Sequence, residues 1–247
     1  MRTAAAELTI QQIEQYHRDG YIVVPDLLTR EEVRAFLQHC DNRKEPIQFG
    51  LHGHLKDPQY KYLAHHPGIA GRAMQLLSGH PRIVQTMYLD KSPKGGKGIA
   101  LHQDCMYLEN DPPTLMACWV ALTDTDKDNG GLCVVPGSHK NGARTWHKNE
   151  NDKEHQKWEM QHDFRDRDGR VYKKTLHALE IDGIEREKPI HLRVPAGAGV
   201  FFTGCTIHGS YANVSPDRPR KAFAIHYVRE GTWLFRTDVQ QTAPVEL

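Results

Sequence analysis

No run in this 247-residue chain approaches the roughly 20 apolar residues that a membrane-spanning helix needs, and the opening Met1-Arg2-Thr3-Ala4-Ala5-Ala6-Glu7 lacks an apolar centre of secretory length. Cysteine is scarce: Cys40, Cys105, Cys118, Cys133 and Cys205 stand singly, with no Cys-x-x-Cys spacing for zinc or dithiol exchange. An odd count without a secretory signal fits free thiols in a reducing compartment, so a cytoplasmic location is expected. Charge of one sign is missing too. Lys and Arg total 32 against 31 for Asp and Glu, a net charge of +1, which offers no basic field to nucleic acid or a membrane surface. The glycine-rich Gly95-Gly96-Lys97-Gly98 lacks the spacing and following helix of a phosphate loop, and there are no internal repeats. Composition therefore points away from a polyanion partner; the sequence is silent on oligomeric state.

Histidine, by contrast, is plentiful at 16 residues. Thr9 and Thr29 read as caps of two helices, the first stopped by Gly20, and Pro67 to Ser78 as another. From Arg82 onward short strands dominate: Ile83 to Leu89, Gly98 to Asp104, Thr114 to Leu122, Leu132 to Pro136, Ile190 to Val194, Gly199 to Thr203 and Arg220 to Val228. Helices first and strands later argue against a βαβ fold. The expected class is mainly β with flanking N-terminal α-helices, a sandwich or barrel in one domain over 1–247. Within it a polar, charge-dense segment at about 141–188 carries Trp146, Trp158, Phe164 and Tyr172 and is expected to pack as a lid.

The stretch Gly98-Ile99-Ala100-Leu101-His102-Gln103-Asp104 carries the most chemistry. On a strand, residues i and i+2 share a face, so His102 and Asp104 can reach one ion; with a second histidine they would make a facial triad suited to Fe(II). His-x-Asp occurs twice more, at His17-Arg18-Asp19 and His39-Cys40-Asp41, but both copies sit in helices, where i and i+2 diverge. His52, His54, His65 and His66 fall in a turn-rich region without a carboxylate at ligand spacing and read as loop or surface residues. His208 follows a strand. His226 competes for the third place, because alternation puts Arg220, Ala222, Ala224 and His226 on one face, taken to be the interior.

The His-Gln-Asp stretch is followed by Cys118-Trp119-Val120-Ala121-Leu122-Thr123-Asp124-Thr125, Asn129-Gly130-Gly131-Leu132-Cys133-Val134-Val135-Pro136-Gly137-Ser138-His139, Thr206-Ile207-His208-Gly209-Ser210 and Arg218-Pro219-Arg220-Lys221-Ala222. In this order the chain resembles the phytanoyl-CoA dioxygenase family of Fe(II)- and 2-oxoglutarate-dependent oxygenases, from Asp19-Gly20-Tyr21 through His226. The resemblance implies a cupin-like jelly roll, or double-stranded β-helix, with iron held by His102, Asp104 and His208 as catalytic residues. It implies 2-oxoglutarate and O2 as cosubstrates, and a small molecule hydroxylated with release of succinate and CO2. Arg220 would bind the far carboxylate of the cosubstrate, with Ser210, Gln103 and Trp119 nearby. Arg218 and Arg220 straddle the family's usual spacing; the Arg-Lys-Ala-Phe-Ala strand favours Arg220. Halogenating relatives lack the carboxylate that Asp104 supplies, so hydroxylation or desaturation is expected. The competing readings are a cupin-type metal-binding or sensing module and a non-oxidative hydrolase.

Overall fold

In a computed structural model of the protein, residues 7–42, 51–148, 154–178 and 180–246 are described. Helix α1 (Ile10–Asp19) starts at Thr9, whose hydroxyl accepts from the Gln12 amide while the Gln12 side chain accepts from the Thr9 amide. Gly20, in the left-handed region at φ 81°, ends it. β1 (Tyr21–Val24) follows, then α2 (Arg30–Asp41), begun by the same reciprocal cap between Thr29 and Glu32. Helices α3 (Gly53–Lys56), α4 (Pro58–Ala64) and α5 (Pro67–Leu77) complete the helical part.

Strands then take over, as expected. They are β2 (Pro81–Lys91), β3 (Ile99–His102), β4 (Asn110–Asp111), β5 (Met116–Ala121), β6 (Leu132–Val134), β7 (Trp146–His147), β8 (Glu159–Arg165) and β9 (Val171–His177). After them come β10 (Glu180–Ile181), β11 (Ile190–His191), β12 (Gly199–Thr203), β13 (His208–Ser210), β14 (Arg220–Arg229), β15 (Trp233–Leu234) and β16 (Ala243–Pro244). Two antiparallel sheets form the body: a larger one ordered β1-β12-β5-β14-β2-β16 and a smaller one ordered β11-β6-β13-β3. This is the jelly roll. Among the described residues no helix is long and apolar enough to cross a membrane.

All six residues of β5 are buried, because both faces of the larger sheet are covered. Met116, Cys118 and Val120 join the helix-side core with Phe36, Tyr60 and Phe223. Ala117, Trp119 and Ala121 face the space between the sheets with Val134, Phe202, Ala222 and Ala224. Four of these inner residues are alanines, so the interior keeps room that larger side chains would fill. β14 alternates the same way: Phe223, Ile225 and Tyr227 pack under the helices, and Arg220, Ala222, Ala224 and His226 turn inward.

Several local expectations change. The strand expected over Gly98–Asp104 stops at His102, and Asp104 opens a 3-10 turn ending at Met106. His54 is no loop or surface residue: it is buried against the Thr86 hydroxyl, on the face of β2 that looks to the helices. The polar segment contains the hairpin β8–β9, whose strands carry too few apolar residues to read as strands in the sequence. Residues 149–153 of its charged run lie outside the described residues.

β13 and β3 run close together. A Cβ on Gly209 would meet the Ile99 carbonyl oxygen at 2.7 Å, backbone that cannot move aside without opening the pair. Gly209→Ala should therefore cost about 1–3 kcal/mol, as overpacking does, and lower the melting temperature measured by circular dichroism.

Candidate metal centre

His208 on β13 and His102 on β3 are direct cross-strand partners, which sets their imidazoles side by side with ring centroids 4.3 Å apart. Asp104 follows one extended residue beyond the strand end. His102 Nε2 lies 3.6 Å and His208 Nε2 3.7 Å from the same oxygen, Asp104 Oδ1. The three donor atoms all lie within 4.8 Å of one another, close enough to hold a single metal ion. The Nδ1–H of His102 donates to the Ala100 carbonyl at 2.8 Å, and that of His208 to the Thr206 carbonyl at 3.0 Å. Each ring thus keeps its proton on Nδ1 and turns the Nε2 lone pair inward.

The electrostatics agree. Burial, only partly offset by Asp104, lowers His208 to about 4, so it is neutral and available as a ligand at pH 7. Burial alone would raise the Asp104 carboxyl; the surrounding imidazoles, His208 first and then His226, outweigh it and hold the group well below the ordinary carboxylate range.

His226 is not a third histidine ligand but the partner of Asp104 on its other side. Its Nε2–H donates to Oδ2 at 3.0 Å, and its Nδ1 accepts from the Gln85 amide nitrogen at 3.3 Å. The Gln85 oxygen in turn accepts from Arg236 Nη2 at 3.4 Å. Arginine can only donate, so it fixes the Gln85 amide, which fixes the His226 tautomer, which occupies Oδ2 and leaves Oδ1 for the ion. His226→Ala should weaken Fe(II) binding by roughly 10- to 100-fold in anaerobic titrations, with His226→Gln recovering part of it.

Farther along the inner face lie two buried cations. Arg220 is 3% exposed; its Nε–H donates to the Gly130 carbonyl at 3.1 Å, and its guanidinium lies 5.9 Å from the centroid of the buried Trp119 ring. Lys91, which the sequence reading passed over, is opposite Arg220 in register. Its Nζ donates to Ser210 Oγ at 2.8 Å and to the Tyr211 carbonyl at 2.6 Å. Alternation along β2 through Gln85, Met87 and Leu89 would have placed it inside. Burial, and then Arg220, lower Lys91 from 10.5 to about 7. Between those values the unfolded chain holds a proton that the folded chain does not, so stability from this group rises with pH through that window. Relative to Lys91→Met, the metal-free wild type should gain thermal stability from pH 7 to pH 9.

Arg218, the other candidate, is on the surface, paired with Asp126 at 2.7 and 3.1 Å. Gln103 also departs from expectation. Its amide nitrogen donates to the carbonyls of Gly142 and Cys205, at 2.8 and 2.6 Å, and its oxygen accepts from the Arg144 amide at 2.8 Å. Both amide hydrogens are therefore engaged by backbone, and Gln103 braces the loops that carry Asp104 and His208. The 141–188 segment meets the centre through aromatic rings: Trp158 lies 5.3 Å from Tyr107, and Tyr107 lies 5.7 Å from His102. Phe164 on the hairpin is fully buried, and Arg165 N–H donates to the Phe235 carbonyl.

The family model described as phytanoyl-CoA dioxygenase (PhyH) matches residues 16–222. "Phytanoyl-CoA dioxygenase 1" of Oryza sativa subsp. japonica is 26% identical, over 91% of this chain and 90% of that protein. The ectoine dioxygenase of Stutzerimonas stutzeri is 26% identical over 90% and 77%. Among solved structures, the non-heme alpha ketoglutarate dependent epimerase SnoN from nogalamycin biosynthesis aligns with a TM-score of 0.70 at 23% identity, over 93% of this chain and 86% of that one. EctD from S. alaskensis with bound Fe aligns at 0.67 and 20% identity, over 92% and 79%. At those identities the structural likeness establishes the fold.

Proposed function

This chain belongs to the phytanoyl-CoA dioxygenase family, and from that premise we propose that it hydroxylates a small molecule with Fe(II), 2-oxoglutarate and O2, in the cytoplasm. One oxygen atom enters the substrate C–H bond and the other enters succinate, with CO2 released, so substrate and oxo acid together supply the four electrons that O2 takes up. The observation that carries this reading is a two-histidine, one-carboxylate donor set facing a buried arginine with no acid partner among the described residues. A module that only bound metal would have no use for that cation.

His102, Asp104 and His208 would hold the iron, which supplies oxygen chemistry at the positions the protein leaves open. His226, held by Gln85 and Arg236, keeps the Asp104 carboxylate from turning. Arg220 binds the far carboxylate of 2-oxoglutarate, Ser210 contributes its hydroxyl, and Trp119 forms the flat wall beneath the guanidinium. The 141–188 segment, through Trp158 and Tyr107, covers the substrate side and excludes water. A partly apolar substrate fits those rings.

The test is succinate formation from 2-oxoglutarate by anaerobically Fe(II)-loaded protein exposed to oxygen. Wild type should form succinate, Asp104→Ala should form none, and Arg220→Ala should form it only at far higher 2-oxoglutarate concentrations. A wild-type protein that binds Fe(II) but neither binds nor consumes 2-oxoglutarate would return the assignment to a sensing module or a hydrolase.

A further inference from the structure

We propose that Cys105 and Cys205 form an oxidation site, which a peroxide closes into a disulfide and which in that state loosens the metal centre. The inference needs the metal donor set but not the oxygenase reading, since neither 2-oxoglutarate nor turnover enters it. In the sequence the two cysteines stand alone, 100 residues apart. In the fold their Sγ atoms are 3.2 Å apart, in contact but short of a covalent bond, which is about 2.05 Å long. Both thiols are free and partly exposed, whereas Cys40, Cys118 and Cys133 are buried. A small oxidant therefore meets this pair before the others.

Each sulfur sits on a turn that also serves a metal ligand. Cys105 is the middle residue of the 3-10 turn Asp104–Met106, directly after the carboxylate. Cys205 lies on the turn leading into β13, beside Thr206, whose carbonyl fixes the His208 ring. The two turns are already tied: the Cys105 N–H donates to the Gly204 carbonyl at 2.9 Å, and the Gln103 amide donates to the Cys205 carbonyl at 2.6 Å. The fold itself thus closes the long loop between the thiols, and no further ordering stands between contact and bond.

A peroxide balances the reaction. One thiolate attacks a peroxide oxygen, the O–O bond breaks and hydroxide leaves, giving a sulfenic acid; the second thiol then displaces its hydroxyl and forms the S–S bond. In sum two thiols and one hydrogen peroxide give a disulfide and two waters, with two electrons passing from sulfur to oxygen and both thiol protons ending in water. A reducing compartment returns the pair to thiols, so the link is transient there. Bond formation draws the sulfurs from 3.2 Å to about 2.05 Å, and a metal site holds its ligand distances to within about 0.2 Å. The Asp104 turn and the turn before His208 cannot both stay in place.

The test treats the full-length protein, stripped of iron so that peroxide meets only thiols, with a small excess of hydrogen peroxide. The excess is removed before intact mass, thiol count under denaturing conditions and anaerobic Fe(II) affinity are measured. Wild type should lose two hydrogens, fall from five free thiols to three and yield joined peptides carrying Cys105 and Cys205. Its Fe(II) affinity should drop at least about tenfold and return with dithiothreitol. Cys105→Ser and Cys205→Ser should each escape the cross-link and keep Fe(II) affinity through the same treatment to within about threefold. No joined peptide from folded wild type would overturn the proposal, and so would a disulfide that forms and leaves Fe(II) affinity unchanged. A reduced wild type that binds no Fe(II) would overturn this inference together with the oxygenase reading, whereas one that binds Fe(II) but no 2-oxoglutarate would sink the oxygenase reading alone.

Discussion

Asp104→Ala will lose Fe(II) affinity by at least about 100-fold and form no succinate, while its far-UV circular dichroism stays that of the wild type. The size follows from what is removed. Loss of an outer partner of a metal ligand already costs roughly 10- to 100-fold, and here the ligand itself disappears. Oδ1 is also the one atom that both Nε2 donors face, at 3.6 and 3.7 Å, so two imidazoles alone are left to hold the ion. The fold should survive because Asp104 sits in a 3-10 turn and not in either sheet. Asp104→Asn separates shape from charge. Its side-chain oxygen can still accept from His226, so the relay from Arg236 through Gln85 persists, yet a neutral amide is a poor ligand. Equilibrium Fe(II) titration of the two variants is the measurement, and near-wild-type affinity in Asp104→Asn would remove the carboxylate from the donor set.

Arg220→Ala should raise the KM for 2-oxoglutarate by about a hundredfold or more with Fe(II) affinity unchanged. Breaking a buried ion pair by deleting one partner costs roughly 3 kcal/mol or more, which corresponds to that factor. Arg220 touches none of the three metal donors, so the two affinities should separate. Arg220→Lys should recover only part of the loss, because an ammonium cannot form the two-pronged bond to a carboxylate or lie flat on Trp119. Arg218→Ala is the control. That side chain is 45% exposed and already paired with Asp126, so its removal should leave KM within about twofold. A large effect at Arg218 and none at Arg220 would reverse the assignment.

The sequence alone determined much of this protein, because the deciding features are local. The i, i+2 relation of His102 and Asp104, the caps at Thr9 and Thr29, and the alternation along Arg220–Val228 are set by a few neighbouring residues and the period of a strand or helix. Those periods also marked helices before strands, and hence a sandwich or barrel, which the family resemblance narrowed to a jelly roll. The polar hairpin β8–β9 escaped notice because its outer residues are solvated and too few apolar positions repeat to reveal a strand.

What only the tertiary structure decided are contacts between residues far apart in the chain. Alternation puts residues on a common face, but it does not say which strand lies opposite, nor in what register. That pairing sets His208 against His102, turns His226 to the second oxygen of Asp104, and sends Arg218 outward to Asp126 while Arg220 goes inward. It commits the Gln103 amide to three backbone groups, and it brings Lys91 beside Arg220 and Ser210. Charges, donors and lone pairs acquire their chemistry from the partners that folding places next to them, and those partners stand as many as 151 residues apart, as Gln85 and Arg236 do.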